Sequence, residues 1–162
     1  MMTEQMKKSG TSEEIKPEYE FWLAGLPIPA GKKYSLRMHM KTAEAVYYIE
    51  ETEISEIRFL TDWERNTIRK AQRTKDLAEA YEESREKGIR FVPWFSREYP
   101  ACLLQIPDFP YALYVKGKLP DGNARRAAIV GARKCTPYGE KYAIEFGRKL
   151  AESGVEVISG LA

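Results

Sequence analysis

The chain has 162 residues, of which 43% are hydrophobic, 31% are charged and 12% are aromatic. This composition is typical of one or two small folded domains, and it excludes a chain that is disordered throughout. The longest uncharged apolar stretches are far shorter than the roughly 20 residues that span a bilayer, and the N-terminus has no apolar signal core. We therefore expect a cytoplasmic protein with no membrane partner.

The net charge is only +2, but the charges are unevenly distributed. Residues 41–65 carry seven acidic and three basic side chains, whereas residues 125–149 carry seven basic and two acidic ones. A basic segment of this kind indicates either a phosphate-binding surface or a solvated helix face. Charge alone leaves both interpretations open.

The residues that usually hold metals or disulfides are sparse. Cys102 and Cys135 are the two cysteines, and without a second pair or a nearby histidine they predict neither a disulfide framework nor a zinc site. The one histidine, His39, falls in a predicted helix, where we interpret it as a surface or packing residue. We expect no cofactor, no metal and no catalytic residue.

The first part of the chain is predicted to be helical. Residues 1–18 are polar, have no hydrophobic period and are expected to form a flexible tail. Residues 19–88 are expected to form a compact all-helical domain, with Thr42 as an N-cap and Gly88 as a helix stop. The predicted helices start at Tyr19, at about Lys32 and after Thr42, and then cover about 54–60, 62–74 and 76–87.

Residues 89–125 are predicted to form a strand-containing connector. Prolines at 93, 100, 107 and 110 prevent a long helix here, and strands are expected at 89–94 and 111–117 before a turn at 119–123. Its aromatic residues indicate core packing or, alternatively, an interaction surface; they are Phe91, Trp94, Phe95, Tyr99, Phe109, Tyr111 and Tyr114. We expect the three tryptophans, Trp22, Trp63 and Trp94, to be packing anchors.

Residues 126–162 predict one β-α-β unit. The pattern indicates a strand at 127–130, a loop at 131–135, a helix at 137–153 and a strand at 155–159, with Gly154 as the helix stop. Thr136 suits the N-cap and Pro137 the first helical position. One helix face is expected to pack on the sheet; it carries Ala143, Phe146, Gly147, Leu150 and Ala151. Because the strands are expected to be parallel, the loops that follow them share one edge.

The loop Gly131–Cys135, which we call the rim loop, has the chemistry of an anion site. A glycine-containing turn into a helix leaves backbone N–H groups free for phosphate. Arg133 can bind phosphate with two hydrogen bonds or, alternatively, form a structural salt bridge, and Lys134 adds attraction. Thr136 can cap the helix or bind phosphate, and Tyr138 can stack on a base or pack against the connector. Because GxGxxG and GxxxxGK[ST] are absent, NAD or ATP binding is not supported.

Several segments in order resemble one protein family. They are Tyr99-Pro100, Ile106 to Pro110, Leu113 to Gly117, Ala128 to Gly139 and Val157 to Ala162. Their order and spacing resemble the landmarks of the DprA/Smf (DNA-processing A) family. In that family a glycine, a small residue and an arginine after the first Rossmann strand help to form a basic pocket for single-stranded DNA, which implies this role for Gly131, Ala132 and Arg133. The expected DNA- or phosphate-binding residues are Gly131, Ala132, Arg133, Lys134, Thr136, Tyr138, Gly139, Ser159 and Gly160.

The resemblance implies both a fold and a function. The fold is α/β, with an N-terminal all-helical domain that is SAM-like or helix-hairpin-helix-like, followed by an incomplete Rossmann-like β-α-β unit. The function is binding of incoming single-stranded DNA in natural transformation (competence), its protection, and loading of the RecA recombinase for DNA recombination, without chemical turnover. A homodimer is expected for the full-length family. Family sequences continue beyond residue 162, so we expect a truncated or partial Rossmann-like domain.

Two other functions are compatible with the residues. One is a nucleotide-cleaving Rossmann-like enzyme, whose glycine-rich and glutamate-containing motif would lie downstream of this sequence. The other is a helical protein-interaction module without DNA affinity. Nucleotide turnover that is abolished by Arg133→Ala would indicate the enzyme. Capture of a protein partner by the helical domain alone, while the whole chain does not bind DNA, would indicate the interaction module.

Overall fold

The computed structural model describes residues 15–73, 76–120 and 122–160. The chain forms two compact units, Met1–Gly117 and Lys118–Ala162. The predicted tail therefore lies outside the described residues up to position 14, as do the predicted end of one helix at residue 74 and part of the 119–123 turn. No helix in the described ranges is long and apolar enough to cross a membrane.

The first unit is a helical cluster that ends in a β-hairpin. Its helices differ from the predicted ones by only a few residues at their ends, apart from the fourth, which begins three residues earlier and ends four earlier. They are α1 (Pro17–Gly25), α2 (Ala30–Met40), α3 (Ala43–Tyr48), α4 (Glu51–Glu56), α5 (Asp62–Ala71) and α6 (Leu77–Glu86). The hairpin consists of β1 (Ile89–Pro93) and β2 (Ala112–Lys116), with a short 3-10 turn at Leu103–Gln105 between them.

Local capping explains where several helices begin. The Thr42 hydroxyl accepts a hydrogen bond from the Ala45 amide at 3.0 Å, as predicted. Thr61 and Glu64 form a reciprocal capping box at the start of α5, in which the Thr61 amide donates to the Glu64 carboxylate at 2.7 Å. At the far end of α6, Gly88 adopts a φ of 72°, which confirms it as the stop.

The helical core forms around α1, which packs on α2, α3 and α6. Its most deeply buried side chains are Leu23, Leu36, Val46, Ile54 and Ile68. Trp22 is buried and its ring meets Tyr47 edge-on at 5.1 Å, so this tryptophan is a packing anchor as predicted. The prediction for Trp63 is wrong, because its side chain is 60% exposed. It lies in the first turn of α5, on the side of that helix away from Ile68.

The hairpin packs with the helices. Its strands are antiparallel, with Phe91 opposite Tyr114, and Trp94, Tyr99 and Tyr111 are buried. This result favours core packing for these three connector aromatics, whereas Tyr114 is 49% exposed. Two tyrosine hydroxyls connect the helices to this region: Tyr34 donates to the Phe109 carbonyl at 2.7 Å, and Tyr111 donates to the Glu20 carboxylate at 2.5 Å. The boundaries that we predict at 88/89 and 125/126 stay predictions.

The second unit is a β-α-β arrangement. It contains β3 (Arg126–Ala128), α7 (Pro137–Glu152) and β4 (Glu156–Ile158). The two strands are parallel, as predicted, with Ala127 opposite Val157. Gly154 has a φ of 71° and ends the helix region. The chain is therefore a mixed helix-and-strand protein, and the finer SAM-like and Rossmann-like assignments stay predictions.

Candidate nucleic-acid interface

The rim loop leaves the sheet at the carboxyl end of β3. The Ile129 amide still donates to the Ile158 carbonyl at 2.9 Å, so the parallel ladder continues for one residue beyond the strand. From Val130 to Tyr138 every residue is exposed to solvent. Both the backbone and the side chains of the rim loop are thus accessible to a ligand.

The second loop of the expected site begins at the same edge. Ser159 and Gly160 directly follow β4, and both are exposed. Because β3 and β4 run parallel in register, their carboxyl ends lie side by side, and so do the first residues of the two loops. Leu161 and Ala162, the end of the family-like segment, lie outside the described residues.

The start of α7 confirms the helix-cap role of Thr136, and phosphate binding by Thr136 stays a prediction. Its hydroxyl accepts a hydrogen bond from the Gly139 amide at 3.2 Å, so Thr136 is the helix cap. The Glu140 amide donates to the Thr136 carbonyl at 3.0 Å, and Pro137 has no amide hydrogen. Within the described part of the chain, Tyr138 is left as the first-turn residue whose amide has no partner. It can donate to an anion together with the rim-loop amides.

The two cationic side chains of the rim loop, Arg133 and Lys134, are accessible to a ligand. Arg133 and Lys134 are exposed, and no hydrogen bond or ion pair joins either of them to another described residue. The alternative of a structural salt bridge for Arg133 therefore has no support in the described ranges. A guanidinium that is not engaged by a carboxylate is free to bind a phosphate with two parallel hydrogen bonds.

Two of the other cations in the basic segment are already paired. Arg126 forms an ion pair with Glu156 at 2.9 Å, and Lys149 forms one with Glu145 at 2.7 Å. Both pairs are partly exposed, and such pairs contribute little to stability. The cations of this segment that form no ion pair with another described residue are Arg125 before β3, Arg133 and Lys134 in the rim loop, and Lys141 and Arg148 on α7.

Tyr138 has a neighbour that the sequence analysis did not propose. Its side chain is 71% exposed, and its ring lies 4.4 Å from the ring of Tyr142, one turn further along α7. Tyr142 in turn lies 5.9 Å from Phe146. The expectation that Phe146 packs on the sheet is wrong, since it is 55% exposed. Aromatic residues at positions i, i+4 and i+8 were the available signal for this row.

The histidine and the two cysteines, which were considered for catalysis, metal binding or disulfides, all lie at the surface. His39 is exposed, and its ring meets Phe59 edge-on at 6.1 Å. Cys102 and Cys135 are exposed free thiols. Among the described residues no group of three or more histidine, cysteine, aspartate or glutamate side chains could hold a metal ion. The geometry thus defines a protein with an exposed basic loop between a parallel strand and a capped helix.

Comparison with known proteins finds similarity to one family over part of the chain. The family model described as DNA recombination-mediator protein A matches residues 90–162. Protein Smf of Borreliella burgdorferi is 45% identical over 67 residues, which are 41% of this chain and 21% of that protein. Protein Smf of Escherichia coli is 36% identical over 101 residues, covering 59% of this chain and 27% of the relative. The DNA processing protein DprA of Bacillus subtilis is 35% identical over 79 residues, covering 48% and 27% respectively.

Over residues 90–162 the chain is similar to the DprA/Smf family. The matched region begins in β1 of the first unit and continues through the whole β-α-β unit. The alignments span only about a fifth to a quarter of the length of these curated relatives. The rim loop lies inside the matched residues.

Proposed function

We propose that this chain binds single-stranded DNA through the rim loop, as part of DNA processing during natural transformation. The observation that carries the proposal is the position of Arg133 and Lys134. They are exposed and unpaired among the described residues, in a glycine-containing loop that runs from the end of a parallel strand into the capped N-terminus of α7. The names of the family and of the Bacillus subtilis relative, which refer to DNA recombination and DNA processing, support the same function.

Each part of the proposed site has a separate role. Arg133 makes a two-pronged contact with a phosphate, and Lys134 attracts the strand from a distance. Gly131 and Ala132 let the backbone approach, and the Tyr138 amide donates from the positive end of α7. Gly139 serves through Thr136, since its amide is used in the cap. Ser159 and Gly160 line the neighbouring loop of the same sheet edge.

This mode of binding reads the phosphate backbone and leaves base identity unread. Affinity is therefore tolerant of sequence and sensitive to salt. Protection of incoming DNA, loading of RecA and homodimer formation belong to the proposal as functions of the family. Binding without chemical turnover is proposed in preference to nucleotide cleavage. Burial of Trp94, Tyr99 and Tyr111 supports core packing over the interaction-module alternative for these three connector aromatics.

The test is the dissociation constant of a labelled oligo-dT strand for the 162-residue chain and for Arg133→Ala, measured by fluorescence anisotropy. Loss of the charged hydrogen bonds to phosphate should weaken binding by about 1 to 3 kcal/mol. Arg58→Ala removes an exposed arginine of the helical unit and serves as the charge-matched control. Equal losses in both variants, or an unchanged dissociation constant for a folded Arg133→Ala chain, would remove Arg133 from the site.

A further inference from the structure

The row of rings on α7 is a feature that the phosphate site does not use. We call Tyr138, Tyr142 and Phe146 the aromatic ladder. Successive ring centroids lie 4.4 Å and 5.9 Å apart, with interplanar angles of 49° and 39°. Tyr138 and Phe146 are more than half exposed, and Tyr142 is partly exposed. Large apolar rings that contact one another and remain exposed to solvent mark a surface that binds a partner.

The two tyrosines of the ladder do not face the strands of their own unit. A Cβ placed on Gly147 would lie 3.7 Å from the Ile129 side chain, so Gly147 marks the side of α7 that faces this part of the sheet. Tyr138 lies nine residues earlier, or about two and a half turns, which places it on the opposite side of the helix. Tyr142 is about one and a half turns from Gly147 and also points away. Packing within the β-α-β unit therefore does not explain the two tyrosines.

The charges around the ladder favour an anionic partner. The Lys141 ammonium lies 5.8 Å from the Tyr142 ring centroid, and the ladder begins three residues after Cys135, the last residue of the rim loop. Lys149 and Glu145 on the same part of the helix neutralise each other, and Glu140 is the nearby exposed acid. Arg133 and Lys134 lie at the Tyr138 end. A partner that carries both negative charge and flat apolar faces fits this surface.

We infer that the aromatic ladder is a stacking platform for the bases of a single-stranded nucleic acid whose phosphates lie on the rim loop. Aromatic side chains next to a basic groove are the usual means of binding single strands, because every base has a face that can stack. The inference rests on the proposed function and assigns it a second, base-contacting element.

The test separates bases from phosphates. The 162-residue chain and its variants are titrated with oligo-dT and with an abasic deoxyribose-phosphate strand of equal length. Tyr142→Ala should weaken oligo-dT binding on the order of tenfold and leave binding of the abasic strand unchanged. Tyr142→Phe keeps the ring and should restore oligo-dT affinity. Ile144→Ala, which removes another exposed apolar side chain of α7, should have no effect on either strand.

A second measurement uses the unaltered chain, so it does not depend on the folding of any variant. Irradiation with a strand that carries 5-iododeoxyuridine should cross-link the peptide that contains residues 138–146. Cross-links confined to other peptides, or equal loss of affinity for both strands in Tyr142→Ala, would overturn the stacking platform. If the chain binds oligo-dT and the abasic strand equally, and Arg133→Ala weakens both, the ladder proposal fails and the phosphate site stands. If neither strand binds, both fail. Dissociation of a chain dimer by Tyr142→Ala, with DNA affinity unchanged, would make the ladder a self-association surface instead.

Discussion

Removal of the Arg37 side chain should destabilise the first unit strongly, because it leaves a buried carboxylate without its cation. Glu20 is 2% exposed. Its carboxylate accepts hydrogen bonds from the Arg37 guanidinium at 2.6 Å and from the Tyr111 hydroxyl at 2.5 Å. In Arg37→Met the Tyr111 hydroxyl is the side-chain partner of Glu20 that remains among the described residues. Loss of one partner of a buried ion pair costs about 3 to 5 kcal/mol, a large part of the 5 to 15 kcal/mol typical of a folded protein.

The assay is urea unfolding followed by tryptophan fluorescence. All three tryptophans, Trp22, Trp63 and Trp94, lie within Met1–Gly117, so the signal reports on the first unit. The double variant Glu20→Gln/Arg37→Met removes the charge together with its partner, and it should lose less stability than Arg37→Met alone. Arg85→Met breaks an exposed pair with Glu82 and should leave the unfolding midpoint in place. A loss under about 1 kcal/mol for Arg37→Met, or a double variant less stable than the single one, would refute the role of this buried pair.

Two further predictions concern alkaline stability and a helix stop. Burial is the main cause that raises the pKa of the Tyr34, Tyr99 and Tyr111 hydroxyls. Because the folded-state pKa exceeds the unfolded value of about 10, the stabilisation is complete below about pH 10 and is lost as the pH rises towards the folded-state values. Tyrosinate absorbance of these residues should therefore appear together with unfolding, and full ionisation of a chain with native tryptophan fluorescence would contradict this. Gly88→Ala should lower the free energy of unfolding by about 1 to 2 kcal/mol, because Gly88 has a φ of 72°. Gly25→Ala, at a position with open space around the added methyl, is the control. Equal stability of the two variants would contradict the prediction.

Features that depend on neighbouring residues could be predicted from the sequence. The Thr42 and Thr136 caps, the Gly88 stop and the β-α-β order each follow from the chemistry of a few adjacent residues, and the structure confirms them. The rim loop was predictable for the same reason, because a strand, a glycine turn and a helix N-cap succeed one another within ten residues.

Features that join distant parts of the chain could not be predicted in this way. Glu20 and Tyr111 are 91 positions apart, and nothing in either segment indicates that they meet. The helical spacing of apolar residues also predicts Phe146 on the sheet side of α7, whereas its ring contacts the ring of Tyr142. Period reports which residues share a face, but tertiary contacts decide which apolar side chains that face buries.

The salt dependence of oligo-dT binding is the decisive test of the rim loop as a phosphate site. The logarithm of the association constant is measured against the logarithm of salt concentration for the unaltered chain and for Arg133→Ala. For single strands the slope changes by about 0.7 for each phosphate contact. We expect a clear negative slope for the unaltered chain and a slope shallower by about 0.7 for Arg133→Ala. Binding that is insensitive to salt, or identical slopes for the two chains, would contradict the rim loop as a phosphate site.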